Sequence, residues 1–249
     1  MFVFVIGNQR SGTTWLYQLI AAYFQVGYVN NLAARFWDDP IRGLQSSKEL
    51  LPSMGVSLDT PFVSFKSSYG NTPAMTDPHE FGYFWRQYFN LEGPMSEREL
   101  DNVYWDQLIE TLTSMKSEFN GLPMVFKSAG MGFYAKHVAK MIPDSYFLYI
   151  KKDPTDVIEE TLHARRKREG YSDWYGFQPF KEGELEYIRQ AQPLDQVVEQ
   201  VGRINSLMEL NKPDHRLEIE YDSLKANPFK TLAEVSQVFG LKPRCLLDY

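Results

Sequence analysis

Residues 2–16 read FVFVIGNQRSGTTWL, and the fold depends on how this stretch is parsed. Phe2 to Ile6 is a short unbroken run of β-branched and aromatic residues, the pattern of a strand covered on both faces. Gly7, four residues and Gly12 repeat the glycine spacing of a nucleotide phosphate loop. From Thr13 onward, Leu16, Leu19, Ile20 and Tyr23 fall on one stripe, which predicts a helix over about residues 13–24. Strand, glycine loop and helix form the context a phosphate loop needs. A nucleotide loop continues with Lys and then Ser or Thr. Here Thr13 and Thr14 take those places, and the one cation of the loop is Arg10.

Outward from this point the chain alternates strands and helices. FVSFK (62–66) reads as a possible second strand. HEFGYFWRQYF (79–89) reads as a helix and ERELDNVYWDQLIETLTSMKSEF (97–119) as a longer one. PMVFK (123–127) and SYFLYI (145–150) read as strands, with a helix near residues 134–141 between them. DPTDVIEETLHARRKR (153–168) starts like a capped helix, with Pro154 and early acids. RLEIEY (216–221) is the last strand candidate. NPFKTLAEVSQVFGL (227–241) is a closing helix with an Asn cap and Gly240 as its stop. Residues 27–60 read as loops and short helices. This alternation predicts an α/β fold: three αβα layers around a mostly parallel central sheet, P-loop-like, in one domain spanning residues 1–249.

Composition bounds the function. The chain has 249 residues, 43% hydrophobic and 23% charged, a globular composition with enough chain to bury a core. A net charge of −6 disfavours broad capture of nucleic acid, so any anion site must be local. One cysteine, Cys245, allows no internal disulfide and no cysteine metal cluster. No apolar run reaches the ~18–20 residues of a membrane span. No signal peptide precedes the loop, and a cytoplasmic location is expected.

A helix N-terminus offers unpaired N–H groups and partial positive charge to a phosphate. Ser11, Thr13 and Thr14 add hydroxyls, the glycines let the backbone approach, and Arg10 adds a planar cationic fork. RSGTTWL (10–16) resembles the 5′-phosphosulfate loop of the sulfotransferases that use 3′-phosphoadenosine 5′-phosphosulfate. That loop reads Pro-Lys/Arg-x-Gly-Thr-Thr-Trp, with Asn8-Gln9 here replacing the residues before the cation. The resemblance explains the missing lysine, because the donor has no triphosphate chain to track and needs no Mg²⁺. It implies donor contacts from Arg10, Ser11, Gly12, Thr13, Thr14 and Trp15, with adenosine 3′,5′-bisphosphate as product and no metal.

The family's second motif follows a central strand and holds the 3′-phosphate with Arg-Asp-Pro-Arg-Asp-Val and a later serine. YIKKDPTDVIEETL (149–162) resembles it, with Lys152 at the arginine position. The serine position falls on Glu160, a departure, because a carboxylate repels a phosphate. Thr161 beside it is the substitute candidate. The closing LEIEYDSLKANPFK (217–230) resembles the family's scaffold segment. Family members place a His or Glu base after the second strand. DPHEFGYFW (77–85) lies in that region, so Glu80 is expected to be the base and His79 the runner-up or the acceptor-orienting partner. Lys127, ending its strand, is expected to reach the donor or acceptor. The basic run Arg165–Arg168 is expected to be a solvated helix end.

The implied reaction is sulfuryl transfer to an acceptor hydroxyl on a sugar, a phenol or another small molecule. A nucleotide kinase or other P-loop NTPase shares the glycine spacing but needs the lysine whose place Thr13 takes here. A non-catalytic nucleotide-binding relic would bind the bisphosphate without turnover.

Overall fold

The computed structural model describes residues 1–55, 63–91, 93–168 and 175–244. Phe62 and Cys245 lie outside the described residues. In chain order the elements are β1 (Phe2–Gly7), α1 (Thr13–Tyr23), α2 (Pro40–Ser53), α3 (Gly82–Trp85), α4 (Glu97–Asp101), α5 (Trp105–Ser117), β2 (Met124–Lys127), α6 (Ala135–Met141), β3 (Ser145–Lys151), α7 (Pro154–Arg168), α8 (Glu182–Arg189), α9 (Pro193–Leu210), β4 (Arg216–Glu220), α10 (Tyr221–Ala226) and α11 (Pro228–Phe239). Short 3₁₀ turns occupy Ala33–Phe36 and Ala129–Phe133.

The four strands form one parallel sheet in the order β2-β1-β3-β4. Successive residues of a strand face opposite sides, so each strand feeds two cores. Phe2, Phe4 and Ile6 point into one core with Phe126, Phe147, Trp85, Leu108 and Met208. Val3 and Val5 point into the other, with Val125, Leu148, Leu16, Ile20, Leu232 and Phe239. Helices thus cover both faces, which is why β1 reads as a continuous apolar run and not as an alternation. The α/β architecture with a parallel central sheet is the one the sequence predicts.

The order places β1 between β2 and β3, so the connection from β1 runs to one side and the connection from β2 to β3 crosses back to the other. That reversal is the switch point at which open α/β sheets bind ligands, outside the carboxyl ends of their strands. Gly7, Lys127, Lys151 and Glu220 end the four strands at this one edge.

Several local expectations are corrected. Val63–Lys66 is not a strand. The buried Asp77 carboxylate takes the Ser64 N–H at 2.7 Å and the Ser64 hydroxyl at 2.6 Å, and Phe65 has φ of 53°, so the segment cannot join a ladder. The helix over 79–89 shrinks to the single turn α3, because Phe81 is left-handed, with φ of 58°. The helix over 97–119 is split into α4 and α5 at Asn102, whose side-chain amide donates to the Arg98 carbonyl and competes with the helical backbone. Residues 40–53 form one helix, capped by Asp39 accepting from the Arg42 N–H. The helices α8 and α9 lie between the predicted helix at 153–168 and the predicted strand at 216–221, where no element is predicted above. Arg165 is not solvated: it is 2% exposed and donates to Gln196 Oε1 at 2.9 Å. Arg166 and Lys167 are exposed.

Candidate active site

The turn between β1 and α1 is built by backbone conformations that few residues adopt. Gly12 caps α1 at φ of 93°, and a Cβ there would meet the Tyr221 ring at 2.6 Å. Only glycine meets both demands. Arg10 is also left-handed, at φ of 65°, a conformation that costs a non-glycine residue about 1–2 kcal/mol and that the packed turn must hold. The Ser11 hydroxyl donates to the Asn8 carbonyl at 2.6 Å and closes the turn on itself. Asn8 donates to Asn205 Oδ1 at 2.9 Å, tying the turn to α9. Gln9 Oε1 accepts from the Phe177 N–H at 3.1 Å, so the chain after α7 docks on the same turn. The first N–H groups of α1 have no helical carbonyl to bond. Thr13 is buried, whereas Thr14 and Trp15 are half-buried.

The Arg10 guanidinium donates from Nε and Nη2 to Glu160 Oε2, at 3.2 and 3.0 Å. Its other flank lies 5.6 Å from the Tyr69 ring. Lys152 follows β3, and its ammonium is bonded to Glu160 Oε1. That ammonium lies 4.8 Å over the Tyr221 ring and 3.9 Å from Asp156. Glu160 therefore bridges the loop cation and the cation after β3. Thr161 is fully buried, and Oγ1 has no hydrogen-bond partner among the described residues.

On the opposite side of the loop, the Lys127 ammonium donates to Glu80 Oε2 at 2.6 Å. Its side chain is 7% exposed against 34% for Glu80, so the pair has a dry end and a wet end. Glu80 and His79 do not start a helix, as the sequence suggests; they precede the left-handed Phe81. His79 donates its backbone N–H to the Val29 carbonyl at 2.8 Å. Its Nδ1 accepts from the Phe81 N–H at 2.8 Å. A backbone donor at Nδ1 puts the proton of the neutral ring on Nε2, which leaves Nε2 as a donor.

The two halves meet at Gly70. A Cβ there would lie 3.7 Å from Lys127 Nζ and 3.9 Å from Thr14 Oγ1. One residue's width thus separates the first turn of α1 from the Glu80–Lys127 pair. Arg10, beside Tyr69, and Thr14 and the Lys127–Glu80 pair, beside Gly70, lie close together at the carboxyl edge of the sheet. The sequence reading missed Tyr69, Gly70 and Tyr221. The Ser-Tyr-Gly turn at 68–70 was the available signal for the first two. Tyr221 carries no signal beyond its place after the last strand.

His79 supplies a test of this geometry. Burial lowers its pKa below the usual 6.5; Glu80 opposes the shift and Lys127 adds to it. Because the folded value is the lower one, the unfolded chain binds more protons between the two values. This contribution to stability is complete above about pH 6.5 and is lost as pH falls through the folded value. Melting temperatures recorded from about pH 7.5 down to about pH 5 should fall less steeply in His79→Asn than in the wild type. Parallel slopes would show that His79 does not titrate in this window.

Among the described residues, no group of three or more His, Cys, Asp or Glu could hold a metal ion. No helix among them is long and apolar enough to cross a membrane.

Residues 3–243 match the model of the Sulfotransferase family. No curated protein matches the chain. Among solved structures it is similar to sulfotransferase STF1 from Mycobacterium tuberculosis, with 15% identity, a TM-score of 0.54, and coverage of 96% of this chain and 67% of that one. It is also similar to sulfotransferase STF9 from Mycobacterium avium, with 12% identity, a TM-score of 0.54, and coverage of 95% and 62%. The sulfotransferase domain from the curacin biosynthetic pathway is a third, with 13% identity, a TM-score of 0.50, and coverage of 96% and 73%. At these identities the likeness is one of fold. The chain spans about two thirds of the length of the two mycobacterial proteins.

Proposed function

Because the chain belongs to the sulfotransferase family, we propose that it moves a sulfuryl group from 3′-phosphoadenosine 5′-phosphosulfate to an acceptor hydroxyl by in-line displacement. The observation that carries this reading is the convergence of a glycine-built anion loop and a carboxylate–ammonium pair across Gly70. The loop suits the phosphosulfate end of the donor: left-handed Gly12, the open N–H groups of α1, the Thr13 and Thr14 hydroxyls, and Arg10 all serve an anion. The donor supplies the activated sulfuryl group.

The chain's own residues divide the remaining work. Arg10 and Lys127 neutralise charge that grows on the leaving phosphate and the moving group. Glu80 takes the acceptor proton as the new S–O bond forms and the bond to the 5′-phosphate breaks. His79, holding its proton on Nε2, orients the acceptor oxygen. Ser11 shapes the loop, and Trp15 packs edge-on to Tyr221, 6.3 Å between ring centres, behind Lys152. The acceptor is a small-molecule or carbohydrate hydroxyl.

Ligand-linked stability tests the donor class. Adenosine 3′,5′-bisphosphate at ~100 times its dissociation constant should add about 2.7 kcal/mol to folding stability. ATP with Mg²⁺ should add much less. Stabilisation by ATP with Mg²⁺ alone would sink the reading. Transfer of label from the donor to members of a hydroxyl panel then identifies the acceptor.

A further inference from the structure

Glu160 stands where an anion would be expected. Its two carboxylate oxygens are divided between Arg10 and Lys152, the way a phosphate would bridge them. The Lys152 side chain is enclosed, 6% exposed, with Tyr221 below it and Asp156 beside it, whereas that of Glu160 is 40% exposed. Thr161 offers no replacement, because its hydroxyl is turned into the protein with no exposed surface. The formal charges of Arg10 and Lys152 are therefore balanced by Glu160 and Asp156 before any ligand arrives.

We propose that Glu160 is a specificity-determining residue for the 3′ position of the donor ribose, and that it removes the site's preference for a 3′-phosphate over a 3′-hydroxyl. This rests on the reading that the Arg10 loop holds the 5′ end of the donor. A 3′-phosphate entering beside Lys152 must share or displace the carboxylate and meets repulsion. A 3′-hydroxyl can instead donate to Glu160 while Lys152 stays paired. The same chemistry separates ribose hydroxyls, read by an acid, from ribose phosphates, read by an arginine, in dinucleotide sites. The site then accepts adenosine 5′-phosphosulfate as well as its 3′-phosphorylated form.

The experiment is a calorimetric comparison of adenosine 3′,5′-bisphosphate with adenosine 5′-monophosphate, on wild type, Glu160→Gln and Glu160→Ser. Wild type should bind the two nucleotides within about tenfold of each other. Both variants should raise the preference for the bisphosphate by about 10- to 100-fold, the worth of one or two charge-assisted hydrogen bonds regained. Using two variants guards against a local helix effect of either. A strong bisphosphate preference in wild type that neither variant increases would overturn the role of Glu160 and leave the donor reading intact. An equal gain for both nucleotides would overturn it too, because the carboxylate would then be a general competitor. Failure of all three proteins to bind either nucleotide would overturn the inference together with the donor reading.

Discussion

Glu80→Gln should lower turnover by about 10²–10⁴, the usual worth of a general base. Glutamine keeps the size of the side chain and an acceptor oxygen for Lys127, but it cannot take a proton. Glu80 Oε2 meets Lys127 at 2.6 Å, and the carboxylate end is the more exposed of the two, so it is the end an acceptor can reach. Binding of adenosine 3′,5′-bisphosphate should change little, because the anion loop is untouched. That separates lost proton transfer from a collapsed site. His79→Asn should cost less, since its Nδ1 is already occupied by the Phe81 N–H. If His79→Asn proves the more damaging, the two roles are exchanged. The assay needs an aliphatic or sugar hydroxyl, because a phenol with a pKa near 10 requires less help. Unchanged transfer to such an acceptor would remove Glu80 from the chemistry.

Arg10→Ala should reduce turnover by about 10²–10³, the typical loss when one preorganised stabiliser of developing charge is removed. The guanidinium is carried on a left-handed residue and lies between Glu160 and Tyr69, so its position comes from the turn itself. Arg10→Lys should restore part of the rate, because an ammonium keeps the charge and loses the fork. Thermal stability should barely move in either variant. The Arg10–Glu160 pair is 29% and 40% exposed, and ion pairs this open contribute about 0–1 kcal/mol. Turnover within a few-fold of wild type would exclude Arg10 from the mechanism.

The α/β architecture was legible in the alternation of strands and helices, and the strand, glycine turn and helix that open it were legible in residues 2–16. Glycine spacing, a doubly covered strand and an apolar helical stripe are local signals, and local signals survive in one dimension. The same holds for the closing helix, where the Asn227 side chain accepts from the Lys230 N–H and Gly240 ends the helix at φ of 67°. Local pattern failed where a distant group claimed the backbone. The run at 63–66 has strand composition, yet Asp77 takes its N–H. The aromatics at 81–89 have helical spacing, yet Phe81 turns left-handed to bury its ring.

Tertiary structure alone decided which charged groups pair at the carboxyl edge of the sheet. That Lys127 meets Glu80, 47 residues away, follows from β2 lying beside β1 with Lys127 level with Val5. That Glu160 joins Arg10, 150 residues away, follows from β3 lying on the other side of β1. Both pairs depend on the order of strands in the sheet. The sequence by itself supplied the candidates for binding an anion or taking a proton. Only the packed sheet decided that a carboxylate from α7 would already stand between the two cations, because a charge brought near them by folding must be neutralised whether or not a ligand is there.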